Sequence, residues 1–336
     1  MNKNLYRIVF NQARGLLMVV AEITGAGRAG ASASRSGAVH PFSQLTGKVH
    51  GVCFALLLAL GAVQPVQAGI VADGRAPGGL QPTIIHSANG TPQVNIQPPG
   101  AGGVSRNQYS QFDVDNKGVI LNNSHNNVQT QLGGMVAGNP NLAKGEARII
   151  LNEVNSRDPS QLNGFVEIAG RKAQVVIANP SGITCNGCGF INANRATLTT
   201  GQVQINNGQI SGYDVNQGEI VVTGAGMDSR QQDSTDLIAR AVKINAGVWA
   251  SQLKVTAGRN VVDAAHDVVA AKTADGSVSP GIAIDVAALG GMYANKIHLM
   301  GTETGVGVHN AGHIGASAGD VVVNADGSIS NSGYIT

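Results

Sequence analysis

Short apolar runs set apart by Gly and Asn recur from about residue 104 onward: Val119–Leu121, Ile149–Leu151, Phe165–Ile168, Val175–Ile177, Ile220–Val222, Val242–Ile244, Leu253–Val255, Ile282–Ile284 and Val321–Val323. Runs of about three to six residues with such punctuation predict β-strands joined by tight turns. Several alternate apolar with polar, as in Val166-Glu167-Ile168 and Val242-Lys243-Ile244, so one side of each strand points inward. Helical windows are scarce; Ser234–Arg240 is predicted as one short helical turn. A weak repeat, Asn-x-Gly-x-Ile, occurs at Asn206–Ile210, Asn310–Ile314 and Asn331–Ile335, the last two offset by 21 residues. A fixed period of about 20 residues marks a solenoid. Three short strands and three turns fill one such coil. About ten coils spaced about 4.8 Å apart make a rod roughly 50 Å long. The expected fold is all-β: a right-handed parallel β-helix with extra-helical hairpins, preferred over a sandwich or jelly roll. The Pro/Gly-rich lead-in 69–103 is expected to cap its first coil, because each coil lacks a core of its own and the ends need covering.

Composition narrows the core. Aromatics are 4% of the chain and charged residues 12%, with 46 glycines among 336 residues. The interior must therefore be built from Val, Ile, Leu and Ala, with inward residues stacking on like residues one coil away and buried Asn forming ladders along the axis. The net charge of +2 conceals an asymmetry. Six basic residues (Lys3, Arg7, Arg14, Arg28, Arg35, Lys48) and a single acid, Glu22, lie in the first 68, which leaves the remainder with an acidic excess of three. A nucleic-acid binder is basic in its folded part, so no nucleic-acid partner is expected.

The first 68 residues read as an address. Val52–Val63 is an apolar run of secretory h-region length, preceded by Lys48 and His50 and followed by Val66-Gln67-Ala68, a small-x-small pattern. It is too short for a membrane-spanning helix, which needs about 20 apolar residues. Cleavage is expected after Ala68, making Gly69 the first mature residue. The whole signal segment, 1–68, is expected to be helical or disordered, and 1–47 is its extension. That extension resembles the extended signal-peptide region of very large exported proteins, autotransporters and two-partner secretion exoproteins, at Asn2, Lys3, Tyr6, Arg7, Phe10, Asn11 and Glu22. Cys53 leaves with the signal. Cys185 and Cys188 remain, an even pair in a chain bound for an oxidising compartment, and are expected to form a disulfide. A zinc site would need two further ligands, and a thioredoxin-type role a βαβ setting.

Two motifs fall between predicted strands. Asn139-Pro140-Asn141-Leu142 is the first; Asn179-Pro180-Ser181-Gly182-Ile183 is the second, followed by Cys185-Asn186-Gly187-Cys188-Gly189-Phe190-Ile191-Asn192 and by Arg195–Gly201. By pattern alone they are turns, since Asn-Pro initiates turns and Gly permits tight bends. Together they resemble the secretion domain of two-partner secretion exoproteins, the filamentous-haemagglutinin, haemolysin and contact-dependent growth inhibition group. The first motif matches throughout. The second matches at Asn179, Pro180, Gly182 and Ile183, with Ser181 where many members carry Asn. The cysteine stretch resembles the branch with cytolysins and growth-inhibition exoproteins.

This resemblance implies a β-helix recognised in the periplasm by the soluble domains of an outer-membrane transporter, passed through that partner's barrel, and folded outside. It divides the chain into a leader (1–68), a secretion domain (69–310) and the start of downstream haemagglutinin-type repeats (311–336), which are expected to be truncated here. It also implies inner-membrane export by the Sec translocase with a signal peptidase, surface or secreted location in a Gram-negative bacterium, and contact with host or neighbouring cells through downstream regions. The eight motif residues are expected to carry recognition or to nucleate folding.

Rival readings are an autotransporter passenger, a cytolysin of the same secretion class, and a polysaccharide-cleaving β-helix enzyme. Asp228, Arg230, Asp233, Asp236 and Arg240 form the densest charged stretch and are read as a solvated extra-helical loop. His309 and His313 fall on a strand and turn that do not give them a common face. No nucleotide loop or nucleophile elbow is visible. No catalysis, metal or cofactor is expected.

Overall fold

The computed structural model describes residues 69–336, apart from 274, together with two strands near the N-terminus. The h-region, Ala68 and most of the leader lie outside the described residues. Within the leader, Tyr6–Asn11 and Leu16–Ala21 pair antiparallel, with Tyr6 opposite Ala21 and Asn11 opposite Leu16. The expectation of helix or disorder does not hold for these twelve residues. Ile8, Val9, Val19 and Val20 are β-branched, and such residues favour strands over helix.

From Val104 to the C-terminus the chain winds through three β faces in turn. The first face is a nine-stranded sheet. Val104–Phe112, Ile149–Val154, Ala173–Ala178, Ala193–Thr199, Ser234–Ala239, Gln252–Ala257, Lys296–Gly301 and Val321–Ala325 stack parallel in that order. The second and third faces form one sheet, because Ile183–Ile191 and Glu219–Ser229 each run round the corner between them. Every crossover joins parallel strands, the connection that winds right-handed. Eight first-face strands give a coil stack about 35 Å long, shorter than expected, because residues 200–218 and 258–281 leave the coil path to build hairpins.

The core is a set of in-register stacks. Ile150, Val175, Ala196, Thr235, Leu253 and Ile297 follow one another on the first face. Ile183, Ile220, Val242, Ile284 and Val308 do so on the second, and Cys188, Met227, Val248, Met292 and Ile314 on the third. All are buried, and burying each large aliphatic stabilises by about 1.5–3 kcal/mol. Asn ladders supplement the stacks: Asn122 Nδ2 donates to Asn95 Oδ1 at 2.9 Å, and Asn310 Nδ2 to Asn331 Oδ1 at 2.8 Å. That last pair is the 21-residue repeat seen in the sequence. The third copy, Asn206–Ile210, belongs to no coil; Asn207 and Gly208 have positive φ of 50° and 73° and form the turn of an antiparallel hairpin.

The lead-in caps the first coil. Ile70–Ala72 lies antiparallel along Val104–Phe112, and the hairpin Thr83–His86/Pro92–Asn95 joins the third face through Pro92–Asn95. This covers an edge that would otherwise expose unpaired backbone.

The corner between the second and third faces is tight in the second, sixth, seventh and eighth coils. A Cβ on Gly164 would overlap the Asp115 carbonyl oxygen, one on Gly290 that of Ile244, one on Gly312 that of Gly290, and one on Gly333 that of Gly312. Successive coils there meet backbone to backbone.

Ser234–Ala239 is a strand rather than a helical turn. Leu237 and Ala239 enter the main core while Ile238 faces a second apolar cluster outside the first face. An element clothed on both sides loses the alternation that marks a strand.

Candidate functional site

The two Asn-Pro motifs repeat one local device. Asn139 caps the 3₁₀ turn Pro140–Leu142: its Oδ1 accepts from Asn141 N at 3.0 Å, while Nδ2 donates to the carbonyls of Ile96 (2.9 Å) and Asn122 (3.0 Å). Asn141 Nδ2 reaches the same Ile96 carbonyl at 3.2 Å, and Leu142 is buried in the main core. Asn179 does likewise. Its Oδ1 accepts from Ser181 N at 2.9 Å, and Nδ2 donates to Asp158 O (2.9 Å) and Ser160 Oγ (3.0 Å) of the preceding coil. Asn is the residue whose short amide closes a turn on itself and still has two donors free. Both asparagines are 1% exposed or less. Gly182 holds φ of 121° and Ile183 starts an inward stack. Because position 181 contributes its backbone N–H to this turn, Ser serves where Asn is common.

The motifs occupy different corners. Asn139–Leu142 follows the third-face strand Val119–Asn123 and the small hairpin Val128–Thr130/Gly134–Val136; Asn179–Ile183 joins the first face to the second. Cys185 and Cys188 are disulfide-bonded and buried where Ile183–Ile191 turns between the second and third faces, at a register shift between Asn186 and Cys188. Gly187, with φ of 78°, completes that bend.

One cluster contradicts the sequence reading. Asp236 is 2% exposed, not solvated. It lies on the outer side of the first face beneath a four-stranded sheet made by the two extra-helical hairpins. Arg195 grips it with Nε at 2.7 Å and Nη2 at 3.0 Å, and His266 Nδ1 lies 3.0 Å away. His266 Nε2 meets Tyr213 Oη at 3.2 Å. Burial opposes the Asp236 charge, but hydrogen bonds from His266 and Arg195 outweigh it and hold the carboxyl below its ordinary 3.8. Nothing in the linear pattern marks this carboxylate, since its partners lie 41 and 30 residues away in sequence. Of the other charges in that stretch, Arg230 pairs with Asp228 on the surface and Arg240 with Glu303.

A pH prediction follows. A carboxyl titrating lower in the folded chain than in the unfolded one contributes stability that is complete above about pH 4 and lost as pH falls through its folded value. Acidification from pH 5 to pH 3 is expected to lower the urea midpoint of the wild-type chain more than that of Asp236→Asn. Equal acid sensitivity would show that this carboxyl plays no such part.

Among the described residues no His/Cys/Asp/Glu cluster has metal-binding geometry. His309 Nδ1 meets Asp285 on the second face at 2.8 Å, whereas His313 packs against the Tyr293 ring on the third.

A parallel coil stack with a covered first edge, two buried Asn-Pro pins and an extra-helical sheet is the architecture of a secretion domain. The chain belongs to the TPS secretion domain family, whose pattern matches residues 68–331, and residues 1–51 match the extended signal peptide of the type V secretion system. It is 68% identical over its whole length to "Toxin CdiA" of Yersinia pestis, covering 10% of that protein. It is 50% identical over 99% of its length to "tRNA nuclease CdiA-2" of Burkholderia pseudomallei (strain 1026b), covering 11% of it. The filamentous hemagglutinin secretion domain superposes with a TM-score of 0.67 at 34% identity, over 80% of this chain and 95% of that one. The chain thus spans about a tenth of the curated relatives it matches. It is the secretion domain of a large Gram-negative exoprotein exported across the outer membrane to the cell surface.

Proposed function

We propose that residues 69–336 form the export-competent head of a contact-dependent toxin carrier, and that Asn139–Leu142 and Asn179–Ile183 nucleate its folding outside the cell. The leader is removed after Ala68 by signal peptidase following Sec export. The unfolded head then offers strand edges to the soluble domains of an outer-membrane partner by β-augmentation. The carrier reading draws on the names of the relatives, which are toxins and nucleases. In this reading any catalysis belongs to chain outside this segment, and this segment itself is not an enzyme.

The observation that carries the role of the motifs is the burial of Asn139 and Asn179, each with three side-chain hydrogen bonds to neighbouring backbone and hydroxyl groups. Buried side chains offer little to a docking partner, but Asn139 fixes the cap segment at Ile96 to the first coil at Asn122, and Asn179 fixes the third coil to the second. With no ATP in the periplasm, the bias for export comes from coils that gain neighbour contacts once outside. The test replaces both motifs by Ala and measures the chain in the medium when it is co-expressed with its transporter. Secreted yield is expected to fall at least tenfold. Secretion at full yield overturns the role.

A further inference from the structure

Residues 200–218 and 258–281 leave the coil path at the same corner, between the first and second faces, in the fourth and sixth coils. Neither hairpin is self-sufficient; Gln202–Asn206 is exposed along most of its length. They meet through Gln209–Val215 and Asn260–Asp263, antiparallel, with Tyr213 opposite Val262. The resulting sheet lies on the outer side of the first face. Ile210, Tyr213, Val215 and Val262 pack there with Val104, Leu151, Val176 and Ile238, which belong to the first, second, third and fifth coils. At the far tip, Gly208 comes so near Gly102 that a Cβ on Gly102 would overlap the Gly208 carbonyl oxygen. The Arg195–Asp236–His266 cluster adds three more attachments: Arg195 comes from the fourth coil, Asp236 from the fifth and His266 from the second hairpin.

We propose that this sheet is a strap that closes late and locks the first six coils into one cooperative block. The proposal rests on the export reading and adds its point of no return. Without the strap, each coil is held by its immediate neighbours and the stack opens one coil at a time. With it, Val104, Leu151 and Val176 of the first three coils share one apolar cluster with the fourth coil's insertion. Opening any of these coils then requires lifting the whole sheet. Closure needs residues as far as Ala271, where the last strap strand ends. Until they arrive, the cover over Leu151 and Val176 lacks Val262 and the strand that pairs with Gln209–Val215. Contacts of such long sequence separation form slowly. The groups facing the buried Asp236–His266 pair are Arg195 and Tyr213, with Lys254 and Asp267 paired at the rim.

The test is hydrogen exchange on the purified, folded chain under native conditions with added urea. In wild type, amides of Ile149–Val154 and Ala173–Ala178 are expected to open together with those of Gln209–Val215 and Asn260–Asp263, at one common rate. In Asp236→Asn, which removes the charge that Arg195 and His266 share, all four segments are expected to open at least tenfold faster, although the first two do not touch Asp236. Strap amides that exchange before the coils, leaving coil protection unchanged, overturn the proposal. If Asp236→Asn does not fold, the wild-type rates decide alone. The measurement is made without a transporter, so failure of the export reading leaves its outcome unaffected.

Discussion

Gly312→Val is expected to unstack the last coils and to cost about 3 kcal/mol or more, the upper range for forced overpacking. A Cβ at this position meets the Gly290 carbonyl oxygen, and Gly333 already rests on the Gly312 carbonyl from the next coil. Backbone lies on both sides, so no rotamer change relieves the clash. The last four strands of the second and third faces, Gly307–Asn310, His313–Ala316, Ile329–Asn331 and Tyr334–Ile335, are expected to lose protection first. Gly281→Ala is the control. Nothing lies within 4 Å of its Cβ position, and the change is expected to stay within about 0.5 kcal/mol, as at ordinary surface sites. Urea unfolding of the two variants checks both values, and a Gly312→Val chain as stable as wild type would refute the account of this corner.

Asn179→Ala is the second large effect. It deletes an acceptor for Ser181 N and two donors, to Asp158 O and Ser160 Oγ, from a side chain that is itself fully buried. Leaving the buried Ser160 hydroxyl unsatisfied costs about 1–3 kcal/mol, and the two half-buried bonds add less, so a loss of about 2–3 kcal/mol is expected, with faster exchange in Ser160–Leu162. Asn179→Asp keeps the acceptor, loses both donors and buries a charge, and is expected to be no better. Ser181→Asn restores the commoner motif residue yet leaves the backbone contact as it is, and is expected to change stability by less than about 0.5 kcal/mol. Urea midpoints of the three variants test the set. An Asn179→Ala midpoint equal to wild type would mean that the motif does not pin the coil.

These outcomes also explain how much of the fold was readable in the chain. Strands with one inward side, such as Val242–Ile244, stand out because their outer side chains remain in water. The 21-residue offset between Asn310 and Asn331 is visible because no insertion interrupts the last coils. Earlier coils lose that period to the hairpins, which is why the stack is shorter than the repeat implied. Ser234–Ala239 defeats pattern reading for a related reason: covered outside by the strap and inside by the core, its second half, Leu237–Ala239, is apolar on both sides. Asp236 itself is a charge in a charged neighbourhood, and only the fold brings Arg195 and His266 to it. The Asn-Pro motifs were found as text. Their burial was not legible, because an Asn that closes a surface turn and one that bridges two coils have the same sequence signature.

The glycine-lined corner has a consequence for where this architecture tolerates novelty. Backbone meets backbone there in the second coil and again in the last three, whereas the other two corners already carry excursions such as 124–148, 200–218 and 258–281. Foreign loops grafted at Gly276, which has open space around it, project away from the stack, while the same graft beside Gly312 pries neighbouring rungs apart. Diversification, whether by natural recombination or by an engineer building a display scaffold, is thereby channelled to two ridges of the prism, and the third is left as an uninterrupted keel.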